Sequence, residues 1–323
     1  MRTNREWECG SRYVLKWRES LTISNDPESD EYIPDLLIAL PSLVHTMKHV
    51  KRIEFEGFPY ELQLQLASGF AHSLEELPPN FLNETAANAI AFPKLKELRC
   101  SVFDASAGSV HFPKLEFLHT AIIINGSHAN AVMPMLKDIM ISDEDDQDVD
   151  ENIIQLKAFL MKNCNTIVHL SVYLPRDGKL DFTNERIVFR KLETVIINDF
   201  TFAAKCPALK SLTASAQQSS VAGLPVNQMT TIRVRLRRKG KEFLSRIKRM
   251  VNLEQLSLIA FGFEDDVLVD MFDNMTKLEA VFIGVRGKLT ANHTNEWHPV
   301  LFKNNPNLTS FVIKGDANGK FSL

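Results

Sequence analysis

The sequence predicts an α/β solenoid: a right-handed horseshoe of stacked repeats, with a parallel sheet on its concave face and helices or loops on its convex face. Three observations predict it. A short apolar phrase recurs along the 323 residues. Its copies lie about 24 residues apart, enough for one strand and one return segment. Several segments between copies carry apolar residues three to four apart, the spacing of one helix face.

The phrase is an apolar residue, two variable ones, an apolar residue, one variable, then an apolar or small one. It reads LKELRC from Leu95, LEFLHT from Leu115, LKDIMI from Leu136, IVHLSV from Ile167 and LETVII from Leu192. It continues as LKSLTA from Leu209, MTTIRV from Met229, LEQLSL from Leu253, LEAVFI from Leu278 and LTSFVI from Leu308. Earlier copies are VKRIEF from Val50 and fainter ones at Leu74–Leu77 and Leu21–Ile23. These make thirteen candidate units, with intervals between second apolar positions running from 17 to 32 residues. The Leu74–Leu77 copy is the weakest, because Pro78 and Pro79 interrupt a strand that needs N–H donors.

Each part of the unit has a physical reason. A strand alternates its side chains, so the final apolar-x-apolar triplet sends two into the core. Asp35–His49, Glu151–Asn163, Lys241–Met250 and Asp265–Asn274 have helical spacing; Ile153, Ile154, Leu156, Phe159 and Leu160 form one stripe. One unit cannot bury such a face, whereas stacked units close it. Proline precedes several strands, in FPKL at Phe92 and Phe112, MPML at Met133, CPAL at Cys206 and NPNL at Asn305. There it stops the preceding segment and sets the turn into the strand.

Composition excludes several classes. The apolar fraction of 45% and charged fraction of 24% suit a folded domain with a sizeable core. A net charge of −3 does not suggest a general nucleic-acid binder. Cys9, Cys100, Cys164 and Cys206 form no CxxC pair, so free, mostly buried thiols are expected rather than a disulfide framework or zinc site. No apolar run approaches the roughly 18 residues of a membrane span, and the N-terminal stretch has no signal-type apolar core. A cytoplasmic or nuclear protein is therefore expected.

The period falls in the 20–29 range of leucine-rich repeats. Beyond that, Leu156–Leu174, Phe92–Phe103 and Met250–Phe261 resemble the irregular repeats of the F-box/leucine-rich-repeat proteins. Tyr13–Asn25 resembles the stretch that follows an F-box. The resemblance implies residues 1–20 as a remnant of the end of an F-box and residues 21–323 as the solenoid. It implies a substrate-recognition part of a ubiquitin-ligase adaptor, with a Skp-type linker and cullin ligase as partners if a full F-box lies upstream. The alternative is an interaction scaffold without ligase coupling. Residues 1–20 lack the opening Leu-Pro pair and most of the helical bundle, so weak or no linker binding is expected.

Motifs for chemistry are missing. The sequence has no GxxxxGK[ST], no GxGxxG between strand and helix, and no GxSxG. His45 and His49 share an i, i+4 spacing, but Thr46 stands where a metalloprotease would have Glu. His293 and His298 flank Trp297 and read as a loop. The acidic run Asp143–Glu151 lacks the glycine of a calcium loop; its last acids suit a helix N-terminus. No enzyme, cofactor or metal site is expected.

Binding is expected from a protein partner on the concave face, where the variable strand positions point outward. Tyr173, Ile196, Arg233, Arg235, Ile259 and Phe282 are the candidate anchors, since aromatic, apolar and Arg side chains dominate interface energetics. Arg233 and Arg235 open a basic run that extends to Arg249 and offers guanidinium groups to an acidic segment.

Overall fold

The phrase folds as the alternation requires. The computed structural model describes residues 20–24, 42, 45, 47–56, 60–78, 81, 90–142, 149–173, 179–182, 184–185, 187–197, 201–216, 225–236, 241–260, 265–286 and 297–316. Twelve of the thirteen expected positions are strands: β1 (Ser20–Ser24), β2 (Arg52–Glu56), β3 (Glu97–Asp104), β4 (Phe117–Ile124), β5 (Asp138–Ser142), β6 (His169–Tyr173), β8 (Thr194–Ile197), β10 (Ser211–Ala216), β11 (Thr231–Leu236), β12 (Gln255–Ala260), β13 (Ala280–Arg286) and β14 (Ser310–Asp316). Two three-residue strands, β7 (Lys179–Asp181) and β9 (Thr201–Ala203), pair with each other in parallel and were not expected. The described residues form an α/β repeat architecture of parallel strands alternating with return segments.

The chain divides into two compact units, Met1–Met140 with Ile154–Asn163, and Ile141–Ile153 with Cys164–Leu323. In the first, β1 pairs in parallel with β2, and β3 with β4. The Leu74–Leu77 copy forms no strand; it contributes an isolated bridge at Glu76, which pairs with Arg52 and with Glu97. Pro78 has no N–H with which to extend that ladder. Leu74 and Leu77 are nevertheless buried, as the repeat requires. In the second unit, β6, β8, β10, β11, β12, β13 and β14 pair in that order, each neighbour in parallel.

The prolines act as the sequence suggests. In Phe92-Pro93-Lys94-Leu95 the Leu95 N–H donates to the Phe92 carbonyl at 3.1 Å, a four-residue turn with proline at its second position. The same bond closes Phe112–Leu115, Met133–Leu136, Cys206–Leu209 and Asn305–Leu308. After the turn, one carbonyl accepts from two consecutive N–H groups of the next repeat. Lys96 and Glu97 both donate to Glu75, and Glu254 and Gln255 both donate to Thr230.

The helices also fall between strands. They are α1 (Tyr60–Phe70), the short α2 (Gly108–His111), α3 (Val149–Asn163), α4 (Lys241–Ile247), α5 (Asp265–Asp273) and α6 (Trp297–Asn304). Of the four expected, three are present; in the fourth, Asp35–His49, only Ser42 and His45 are described as helical. α6 corrects the loop reading of His298, which stands in the first turn of a helix; His293 lies outside the described residues. α5 packs on α4 and on α6, so the helices of the second unit stack in repeat order.

The core lies between strands and return segments. Both inward positions are buried in β3, β6, β8, β10, β11, β12 and β13, for example Leu98 and Cys100, Ile232 and Val234, Val281 and Ile283. In the first unit, the Phe92 and Phe112 rings of consecutive FPKL turns stack at 6.3 Å, and Phe103 joins Phe112 to Phe159 of α3. Gly126 lets α3 approach, since a Cβ there would lie 2.0 Å from the Gln155 carbonyl oxygen. The preceding Asn125 has φ 55°, a left-handed conformation that Asn tolerates better than most residues.

Two buried asparagines fasten repeats together. Asn163 accepts from the Met133 N–H at 2.7 Å and donates to the carbonyls of Ala131 and Phe159. Asn305 accepts from the Leu278 N–H at 2.8 Å and donates to the Leu301 carbonyl at 2.9 Å. Each amide thus ties the end of its own helix to the backbone of an earlier repeat.

Candidate binding groove

The parallel register of the second unit sorts its outward residues into rows. Residues facing each other across neighbouring strands are about 4.8 Å apart. One row runs Ser171, Ile196, Thr213, Arg233, Ser257, Phe282 and Val312. A second row, two residues further along, includes Ser215, Arg235, Ile259, Gly284 and Lys314. Between these rows lies the buried line Val172, Ile197, Ala214, Val234, Leu258 and Ile283. The alternation therefore delivers both rows to the face expected to be concave.

A groove of about 620 Å³ lies on that face. Tyr173, Ile196, Arg233, Ile259 and Phe282 all line it, so the structure brings together five of the six candidates. Arg235 is not among the lining residues. It is half-buried, paired in register with Ser215 and Ile259. Thr213, Ser257, Gln255, Ser310 and Val312 also contribute to the wall. Val312 is 42% exposed.

Ile259 differs from expectation: it lies on the outward row but is only 1% exposed. Gly284 is its partner on β13. A Cβ built on Gly284 would stand 3.1 Å from Ile259 Cγ1 and 3.1 Å from a ring carbon of Phe282. Ile259 and Phe282 thus both border the space that a side chain at position 284 would fill. Ile259 lines the groove while buried, and Phe282 lines it half-buried.

Arg233 is exposed and is the one charged side chain among the described lining residues. No described residue forms an ion pair with it. The equivalent position in β3 shows what a satisfied arginine looks like. Arg99 follows Leu98 as Arg233 follows Ile232, and its guanidinium meets Glu97 at 2.7 Å and lies over the Phe117 ring at 5.7 Å. At the corresponding places beside Arg233 stand Thr231 and Gln255, which offer neither a carboxylate nor an aromatic ring.

The other motifs resolve simply. Asp150 and Glu151 stand in the first turn of α3, where their charges suit the helix dipole; residues 143–148 lie outside the described set. His45 is helical and His49 lies in a following turn; among the described residues no three metal-ligating side chains cluster. Arg237–Lys239 lie outside the described residues. Cys100, Cys164 and Cys206 are free and buried, and burial pushes the thiols of Cys100 and Cys206 up to about 12. No described helix is long and apolar enough to cross a membrane.

Sequence reasoning missed Gln255, Ser310 and Val312. Gln255 and Ser310 precede the second apolar position, a place the phrase marks only as variable. Val312 belongs to the last repeat, and its row position could have been found by extending the register by one unit.

The chain matches no protein-family model and no curated protein. Among solved structures it is similar to an internalin from Listeria monocytogenes, with 12% sequence identity, a TM-score of 0.42, and coverage of 86% of this chain and 73% of that one.

Proposed function

We propose that the chain is a non-enzymatic protein-binding module and that the groove on the outward face of its second unit is the binding site. The observation that carries this reading is the composition of the groove. Apolar and aromatic side chains, neutral hydroxyl or amide groups and one guanidinium line it. Among the described lining residues there is no carboxylate, imidazole, thiol or amine to serve the Tyr, Ser and Thr hydroxyls as a general base. Aromatic and Arg anchors in a concave site suit recognition of a protein segment. Buried free thiols suit a reducing compartment, and the reading includes a cytoplasmic or nuclear site of action.

Thr213→Tyr tests the site. Thr213 is half-buried on the outward face, and a ring there would occupy the groove while leaving the inward residues unchanged. Partners captured by the native chain and lost by this variant, with its circular dichroism and unfolding midpoint preserved, support the reading. Equal capture by both overturns it.

The finer reading is the substrate-recognition part of an F-box-type ubiquitin-ligase adaptor, and it rests on sequence resemblance. Residues 1–323 are expected to bind a Skp-type linker weakly or not at all, because residues 1–20 resemble at most the end of an F-box. A stable, stoichiometric complex in a pull-down would refute that expectation and favour the adaptor over a scaffold without ligase coupling.

A further inference from the structure

The central stretch of the outward row has a symmetric chemistry. From β8 to β13 it reads Ile196, Thr213, Arg233, Ser257, Phe282: apolar, hydroxyl, guanidinium, hydroxyl, apolar. All five side chains line the same groove. From this row we infer that the groove recognises an extended peptide segment bearing a single carboxylate with an apolar side chain about three residues away on either side. The inference rests on the protein-binding reading given above and specifies its ligand.

Charge sets the centre of the motif. An exposed guanidinium without an ion-pair partner among the described residues, bordered within its row by neutral groups, attracts an anion. The planar fork of Arg matches a carboxylate through two parallel N–H donors. Thr213 and Ser257, one strand away on either side, add hydroxyls that can donate to the same carboxylate or bond the peptide backbone. One guanidinium suits one carboxylate better than the roughly double charge of a phosphate. The cation is available because its repeat lacks the Glu and the ring that hold Arg99 in β3.

Geometry sets the flanks. Ile196 and Phe282 each lie two strands from Arg233, a separation of about 9.6 Å at about 4.8 Å per strand. A polyproline II segment advances about 3.1 Å per residue and returns to the same face every third residue, or about 9.3 Å. A chain in that conformation crossing the strands would set its central acid over Arg233 and the residues three before and three after over Ile196 and Phe282. Val312, one strand beyond Phe282, extends the apolar wall on that side.

The test is selection of random peptides displayed on phage against the intact chain, with Thr213→Tyr as the counter-target. Groove-dependent peptides are expected to share one Asp or Glu flanked at about three positions by apolar residues. A synthetic consensus peptide should bind Arg233→Gln about tenfold or more weakly at low salt, since hydrogen bonds to charged groups carry that much. The difference should shrink near 1 M salt, where the screening length falls to about 3 Å. Arg233→Glu should in turn prefer the same peptide with Lys for its acid. Arg233 is exposed, so these variants are expected to fold. Groove-dependent peptides without an acid, or indifferent to Arg233→Gln, would overturn the inference while leaving the protein-binding reading intact. Tighter binding of a phosphoserine version would overturn the single-carboxylate assignment. If no peptide depends on the groove, the inference and the groove as a peptide site fall together.

Discussion

Asn305→Ala isolates a single buried hydrogen bond between repeats. Asn305 is 2% exposed, and its Oδ1 accepts from the Leu278 N–H at 2.8 Å. Its Nδ2 donates to the Leu301 carbonyl, but that carbonyl also accepts from the Asn305 backbone N–H at 3.0 Å. Truncation therefore orphans the Leu278 N–H and leaves the Leu301 carbonyl partnered. One buried unsatisfied donor costs about 1–3 kcal/mol, and that is the expected loss in denaturant unfolding. Amide exchange at Leu278 should accelerate, with the effect concentrated around β13 and β14, because a repeat touches mainly its neighbours. Asn305→Asp keeps the acceptor but turns a second oxygen toward the Leu301 carbonyl. Burial without a countercharge raises that carboxyl above its unfolded value of about 3.9. The variant's stability is then fullest below that pH and falls as pH rises through the folded pKa. A loss under about 0.5 kcal/mol for Asn305→Ala, with Leu278 exchange unchanged, would refute the assignment of this amide as a fastener.

Two further outcomes follow from the core. Leu256→Ala removes an inward core side chain that is 2% exposed; it should cost about 2–5 kcal/mol in denaturant unfolding, and an unchanged midpoint would contradict the repeat assignment. Cys100 and Cys206, pushed up to about 12 chiefly by burial, should resist alkylation in the folded chain. Because the folded thiols hold their protons above the pH at which unfolded ones lose them, stability should fall as pH rises from about 9 toward 12, and Cys206→Ala should flatten that limb. Rapid native-state labelling at pH 8 would refute this account.

The fold was legible because the repeat combines two independent signals, the inward pair of each strand and the turn before it. FPKL predicts a proline turn, which occurs twice, and the structure adds that the two Phe rings are buried and stacked. α1 was hidden for a physical reason. In Tyr60–Phe70, Leu62, Leu64 and Leu66 alternate as strand residues do, yet the segment is rich in the helix-favouring Leu, Gln, Glu and Ala. Its buried residues Leu66, Ala67 and Phe70 follow helical spacing, a stripe visible only once Phe70 is counted with them. β7 and β9 are three residues long, too short for alternation to stand out.

The site was legible to the level of the row and no further. Alternation states that Ile259 points outward, and it does; it does not state what stands over it. That depends on the neighbouring strand, where Gly284 supplies no side chain and the register brings Phe282 within reach. Exposure on a sheet face is a property of three strands at once, whereas a repeat phrase describes one. The same reasoning applies to charge. Arg99 and Arg233 occupy one position of the phrase, yet the first is held by Glu97 and lies over Phe117, while Thr231 and Gln255 leave the second open to solvent. Exchanging those neighbours tests the point: Thr231→Glu should tie Arg233 down as Glu97 ties Arg99, and weaken capture of an acidic peptide without touching the groove's apolar walls. Undiminished binding by that variant would mean that Arg233 does not engage the ligand's charge.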